Sequence, residues 1–75
     1  MPEAEAALLR AAATHDRSAV LHERAAELFD GLGFHFLAGE ERALAECDRD
    51  GAAADRERAR LRRERSAARS VMPNP

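Results

Sequence analysis

From residue 4 to residue 28, small and apolar residues recur in alternating steps of three and four. Ala4, Ala7, Ala11, Thr14, Ser18, Leu21, Ala25 and Leu28 make one such line. That spacing marks a helix packing along its whole length, and its small side chains allow close approach by another helix. A flanking line of Leu8, Ala12, His15, Ala19, His22, Ala26 and Phe29 widens the packing face. Asp16, Arg17, Glu23, Arg24, Glu27 and Asp30 fall mostly outside it. No helix breaker interrupts the pattern between Pro2 and the "DGLG" of residues 30–33. Pro2 suits a first helical position, and Glu3 and Glu5 suit the positive end of a helix dipole. Gly31 and Gly33 can supply a helix cap and a tight turn.

After that turn the apolar stripe resumes with Leu37, Leu44, Cys47, Gly51 and Ala54, and continues thinly through Leu61, Ala68 and Met72. Gly39 and Gly51 each cost a helix about 1 kcal/mol relative to alanine, so a break near Gly51 is the alternative to one long helix. Beyond residue 55 the chain is polar on nearly all sides. A helix of that kind bridges something, is bound, or frays. Strand-forming residues are scarce and no sustained two-residue alternation appears. The pattern predicts an all-α fold, a two-helix antiparallel hairpin with helices over about 3–30 and 34–69. Residues 1–70 form its single domain and residues 71–75, ending in "PNP", a flexible tail.

Composition then changes the picture. Of 75 residues, eighteen are alanine, and Ile, Tyr and Trp are absent. A chain this short with so little large apolar surface builds a weak core alone. Self-association removes that weakness, and two hairpins pairing as a homodimeric four-helix bundle is the simplest way to cover the alanine faces. The expected seam consists of Ala11, Ser18, Leu21, Ala25, Leu28, Leu37, Leu44 and Cys47, with Cys47 a small buried hydrophobe on the inner stripe. A single cysteine excludes an internal disulfide. The absence of a basic-plus-apolar leader or a long apolar run predicts a reduced, cytoplasmic protein with no membrane contact.

Candidate chemistry is sparse. His15 and His22 stand seven residues apart, roughly 10.5 Å of helical rise, and no Glu lies three residues before any histidine. Both read as structural residues on a helix face, and no metal or other cofactor is predicted. Cys47 has no histidine near it in sequence to act as a base. Glu23 with Glu27, and Glu46 with Asp50, share faces but have no cleft to work in. No catalytic residue is predicted, and the protein is expected not to be an enzyme.

Charge is unevenly spread. Residues 1–55 hold five arginines against twelve acids, whereas residues 56–75 hold seven arginines against Glu57 and Glu64. Arg58, Arg62, Arg65 and Arg69 share one helix face and are the candidate contacts to an anionic partner. An acidic protein surface suits them. In a homodimer, the basic end of one hairpin would meet the acidic body of an antiparallel twin. A nucleic-acid-binding accessory role is the alternative, opposed by the lack of aromatic residues for base stacking.

The stretch "HERAAELFDGLGFHFLAGEERALA", residues 22–45, resembles a single tetratricopeptide-type helix pair. Ala25, Ala26 and Phe29 stand at its first-helix positions, Gly33 near its turn, and Ala38 and Ala45 on its second helix. The resemblance implies a helix–turn–helix unit, and one copy implies no stacked peptide groove. In overall composition the chain is similar to uncharacterised Ala/Arg-rich small helical proteins of actinobacteria. The function these readings predict is a non-enzymatic interaction or scaffold module.

Overall fold

The computed structural model describes residues 3–71. Two helices account for them: α1 (Glu3–Gly31) and α2 (His35–Val71), folded back on each other as an antiparallel hairpin. Helix formers fill both, and Glu3 and Glu5 lie in the first turn of α1, where the helix dipole favours acids. Pro2, Met72 and the "PNP" of the expected tail lie outside the described residues.

The turn works through hydrogen bonds that close α1. Phe34 N–H donates to the Phe29 carbonyl at 2.8 Å, and Gly33 N–H donates to the Asp30 carbonyl at 3.0 Å. Gly33 adopts φ +83°, a conformation available to glycine at little cost. This is a Schellman cap with glycine in the left-handed position. The Phe34 carbonyl then accepts from Ala38 N–H at 3.0 Å and starts α2.

Among the described residues every buried apolar side chain is alanine. Ala12, Ala19 and Ala26 on α1 and Ala38, Ala45, Ala52 and Ala59 on α2 are buried, each set spaced by seven residues. Both packing stripes are therefore rotated by one residue, about 100°, from the expected ones. On α1 the line expected to flank the seam is the seam itself. On α2 the seam is Ala38, Glu41, Ala45, Asp48, Ala52, Asp55 and Ala59, not the stripe through Leu37, Leu44 and Cys47. Small residues at one seam position let the helices approach closely, and the histidines of α1 then meet the acids of α2 at the other. Leucine in that seam would hold the helices apart and separate those partners. Cys47 is accordingly exposed rather than buried.

α2 runs unbroken through Gly51, which has a packing role. A Cβ built there would stand 3.1–3.3 Å from the His15 ring, whereas one at Gly39 would meet open space. Gly39→Ala is expected to stabilise the hairpin by about 1 kcal/mol, the helix-propensity gain. Gly51→Ala is expected to show no such gain, because the ring must be displaced. Thermal unfolding of the two variants side by side checks the contrast, and equal gains would mean that His15 does not rest on Gly51.

The resulting rod is 68 Å long, with a radius of gyration of 18.1 Å against about 11 Å for a compact chain of this length. Its accessible surface is 5646 Å² for 8.2 kDa. A compact monomer of that mass exposes roughly 4500 Å². The excess, about 1100 Å², is of the order that one partner contributes to a stable dimer interface.

Candidate interaction face

Three parallel strips run along the hairpin, each defined by its position relative to the seam. Within the seam, His15 and His22 alternate with carboxylates of α2. His15 Nδ1 lies 2.9 Å from Asp48 and its Nε2 3.9 Å from Asp55. His22 Nδ1 lies 2.5 Å from Glu41 and its Nε2 3.7 Å from Asp48. The order down the rod is Glu41, His22, Asp48, His15, Asp55, so Asp48 serves both imidazoles. The Ser18 hydroxyl, followed by His15, holds the Asp48 carboxyl below the usual carboxylate value. At the open end Glu5 is 3% exposed, with Arg63 Nε 3.9 Å away.

One residue after the seam on each helix lies a strip of ion pairs. Asp30 pairs with Arg42, Glu23 with Arg49 and Asp16 with Arg56. Acids at intervals of seven on α1 meet arginines at intervals of seven on α2, and each pair sums to the same register. Arg56, foremost, holds the Asp16 carboxyl below its ordinary value, and Arg42 and then His35 do the same for Asp30. Because their pKa values are lowered by folding, Asp16, Asp30 and Asp48 contribute stability that is fully present above the ordinary 3.8. That contribution is lost as pH falls through the lowered values. The melting temperature is expected to fall as pH drops below about 4. A triple Asn variant at these positions should show a shallower fall, and an unchanged acid profile would contradict the assignment.

One residue before the seam lies the third strip, on the opposite side of the rod from the ion pairs. It carries Ala11, Ser18 and Ala25 of α1, which are half-buried, with Leu21 and Leu28 beside them and Leu37, Leu44 and Cys47 from α2, all exposed. Leu21 is 63% exposed and Leu28 65%, and Leu37 and Leu44 are also among the exposed large hydrophobics. Toward the open end the strip becomes a groove lined by Ala4, Ala7, Leu8 and Leu61 with Arg58, Arg62 and Arg65. The eight residues expected to form a self-association seam thus lie together on one side of the hairpin, outside its core.

The arginine-rich segment divides between these strips. Arg56 belongs to the ion-pair strip, where its side chain reaches Asp16. Arg60 bonds Glu57 and Glu64 along its own helix, and the Glu57 carboxylate foremost raises the Arg60 pKa. Of the four candidate anion contacts, Arg58 is taken by Asp55 at 3.1 Å. Arg62, Arg65 and Arg69 have no carboxylate within 4.0 Å among the described residues.

Sequence reasoning placed both histidines on the packing face but missed their partners Glu41, Asp48 and Asp55. The signal was present: acids stand at alternating intervals of seven on α2, interleaved with Ala38, Ala45 and Ala52. A stripe half acidic does not look like a core until the opposing histidines are in register. Among the described residues no group of three or more His, Cys, Asp or Glu is placed to hold a metal ion. No described helix is long and apolar enough to cross a membrane. Comparison with known proteins returned no matching family model, no matching curated protein and no matching solved structure.

Proposed function

We propose that this protein is a non-enzymatic interaction module that self-associates through the strip of Leu21, Leu28, Leu37 and Leu44, forming a homodimeric four-helix bundle. The observation that carries this reading is the inverted arrangement of the hairpin. Among the described residues every buried apolar side chain is alanine, while Leu21, Leu28, Leu37 and Leu44 lie together, exposed, on one outer face. Four exposed leucines on one side of a soluble helix pair call for a covering surface. A second copy supplies one of matching length and matching polarity.

Sedimentation equilibrium at tens of micromolar tests this directly. The expected mass is twice 8.2 kDa, and a folded monomer at that concentration would sink the reading. A second reading rests on Arg62, Arg65 and Arg69, which carry no intramolecular carboxylate partner among the described residues. It assigns a nucleic-acid accessory role to the open end. Phosphate contacts are strongest at low salt, so titration with labelled RNA and DNA at about 50 mM salt separates the two. The self-association reading expects no saturable binding there.

A further inference from the structure

We infer that the second copy docks with its turn at the same end, so that α1 of one hairpin lies on α2 of the other and the twofold axis runs along the rod. This rests on the self-association proposed above and goes beyond it by fixing the orientation. The carrying observation is a second set of charges that repeats the register of the ion-pair strip. Arg10, Arg17 and Arg24 stand seven apart on the back of α1, beside the leucine face, and are exposed. Asp50, Glu57 and Glu64 stand seven apart on the back of α2, beside the same face, and are exposed.

Within one hairpin these two rows point away from each other. Among the described residues the three arginines have no carboxylate within 4.0 Å and Asp50 has no cation, while Glu57 and Glu64 share the single Arg60 of their own helix. The observed ladder joins residues whose numbers sum to 72: 16 with 56, 23 with 49 and 30 with 42. The outer rows match with a sum of 74: Arg10 with Glu64, Arg17 with Glu57 and Arg24 with Asp50. A twofold axis along the rod keeps both copies level, so α1 meets the partner's α2 in nearly the register it has with its own. Every helix has antiparallel neighbours on both sides in either orientation, so the choice falls to side chains rather than to helix dipoles.

Side-chain size agrees. In this orientation Leu28 comes level with Leu37 of the partner subunit, and Leu21 comes level with Leu44 of the partner subunit. Two leucine layers form near the turns, followed by a layer of Thr14, Ser18, Gly51 and Ala54 where the helices come close. The opposite orientation would set α1 on α1 and α2 on α2. It would face arginine rows against each other on one edge and acid rows on the other, and would put leucines against the arginine groove. Gross charge argues the other way, because residues 17–52 carry eight acids and four arginines while the rest carry six acids and eight arginines. That long-range preference is screened within roughly 10 Å at ordinary salt, whereas like charges facing across an interface are not relieved by distance.

Disulfide trapping distinguishes the orientations. In a Cys47→Ser background, Thr14→Cys with Ala54→Cys places the two thiols within reach only between copies whose turns coincide. Ala54→Cys with native Cys47 places them within reach only in the opposite orientation, since residues seven apart on one helix cannot bridge. Both variants are first sized by light scattering and then oxidised, and the crosslinked peptides are mapped by mass spectrometry. The expected result is a covalent dimer joining residue 14 to residue 54 of the partner chain, and none joining 47 to 54. A dimer trapped through 47 and 54, or trapped by neither pair, overturns the orientation and leaves self-association standing. A monomer by light scattering before oxidation overturns the self-association beneath it.

Discussion

Ala19→Leu is expected to abolish the hairpin as a stable unit. Ala19 is buried at the centre of a seam whose buried apolar residues are all alanine. Three added heavy atoms have no cavity to enter, so the helices must separate locally or the side chain must take a strained rotamer. Overpacking of this kind costs about 1–3 kcal/mol in ordinary cores. Here the cost is compounded, because separation also pulls His15 and His22 away from Asp48 and opens the neighbouring alanine contacts. A core without one large side chain has little with which to offset that loss. Ala52→Leu, across the seam, should behave alike, whereas Ala53→Leu, one position on and exposed, should be close to neutral. Circular dichroism melts of the three decide the matter: a stable Ala19→Leu variant would mean that the alanine seam does not set the helix spacing.

The contrast among those positions shows how far the fold was legible in the sequence. The two helices and their turn followed from local rules. Glycine supplied the left-handed cap, and nothing else between Glu3 and Val71 stops a helix. The rotation of each helix did not follow, because both candidate stripes of α1 are small and spaced alike. Choosing between them required knowing what opposes them. Hydrophobicity pointed to the line with Leu21 and Leu28. The fold uses the line with His15 and His22, since only that line faces carboxylates at matching intervals on α2. A preference written in pairs of polar residues is invisible to a scale that scores residues singly. The residues proposed for self-association nevertheless share one side of the hairpin. Rotation of both helices by one position, in the same sense, brings them to a common outer face instead of between α1 and α2.

The arginines illustrate the same point from the side of charge. Seven in sixteen positions look like an anionic-partner arm, yet Arg56, Arg58 and Arg60 hold acids of their own chain and Arg63 approaches Glu5. The segment serves first as the second half of a helix pair. What remains for a partner is a shorter set at the open end.

Leu21→Asp and Leu44→Asp are each expected to convert the proposed dimer to monomer without touching the seam between α1 and α2. Both leucines are exposed in the hairpin, so neither substitution removes anything from its core. Burying a leucine side chain contributes about 1.5–3 kcal/mol, and twofold symmetry counts each substitution twice per dimer. At least about 3 kcal/mol is therefore lost before the cost of desolvating two carboxylates, which weakens association at least about a hundredfold. Val20 provides the control. It is also a large exposed hydrophobic residue, but it lies on the side of α1 away from the leucine strip, so Val20→Asp should leave association unchanged. Concentration makes the readout specific. In the proposed dimer, binding between copies is expected to raise the melting temperature of the wild type as protein concentration rises. That dependence should persist in Val20→Asp and vanish in Leu21→Asp and Leu44→Asp. If it persists in all three, the covering surface lies elsewhere on the rod. If the leucine variants lose helicity at every concentration, the alanine hairpin depends on its partner for folding as well as for function.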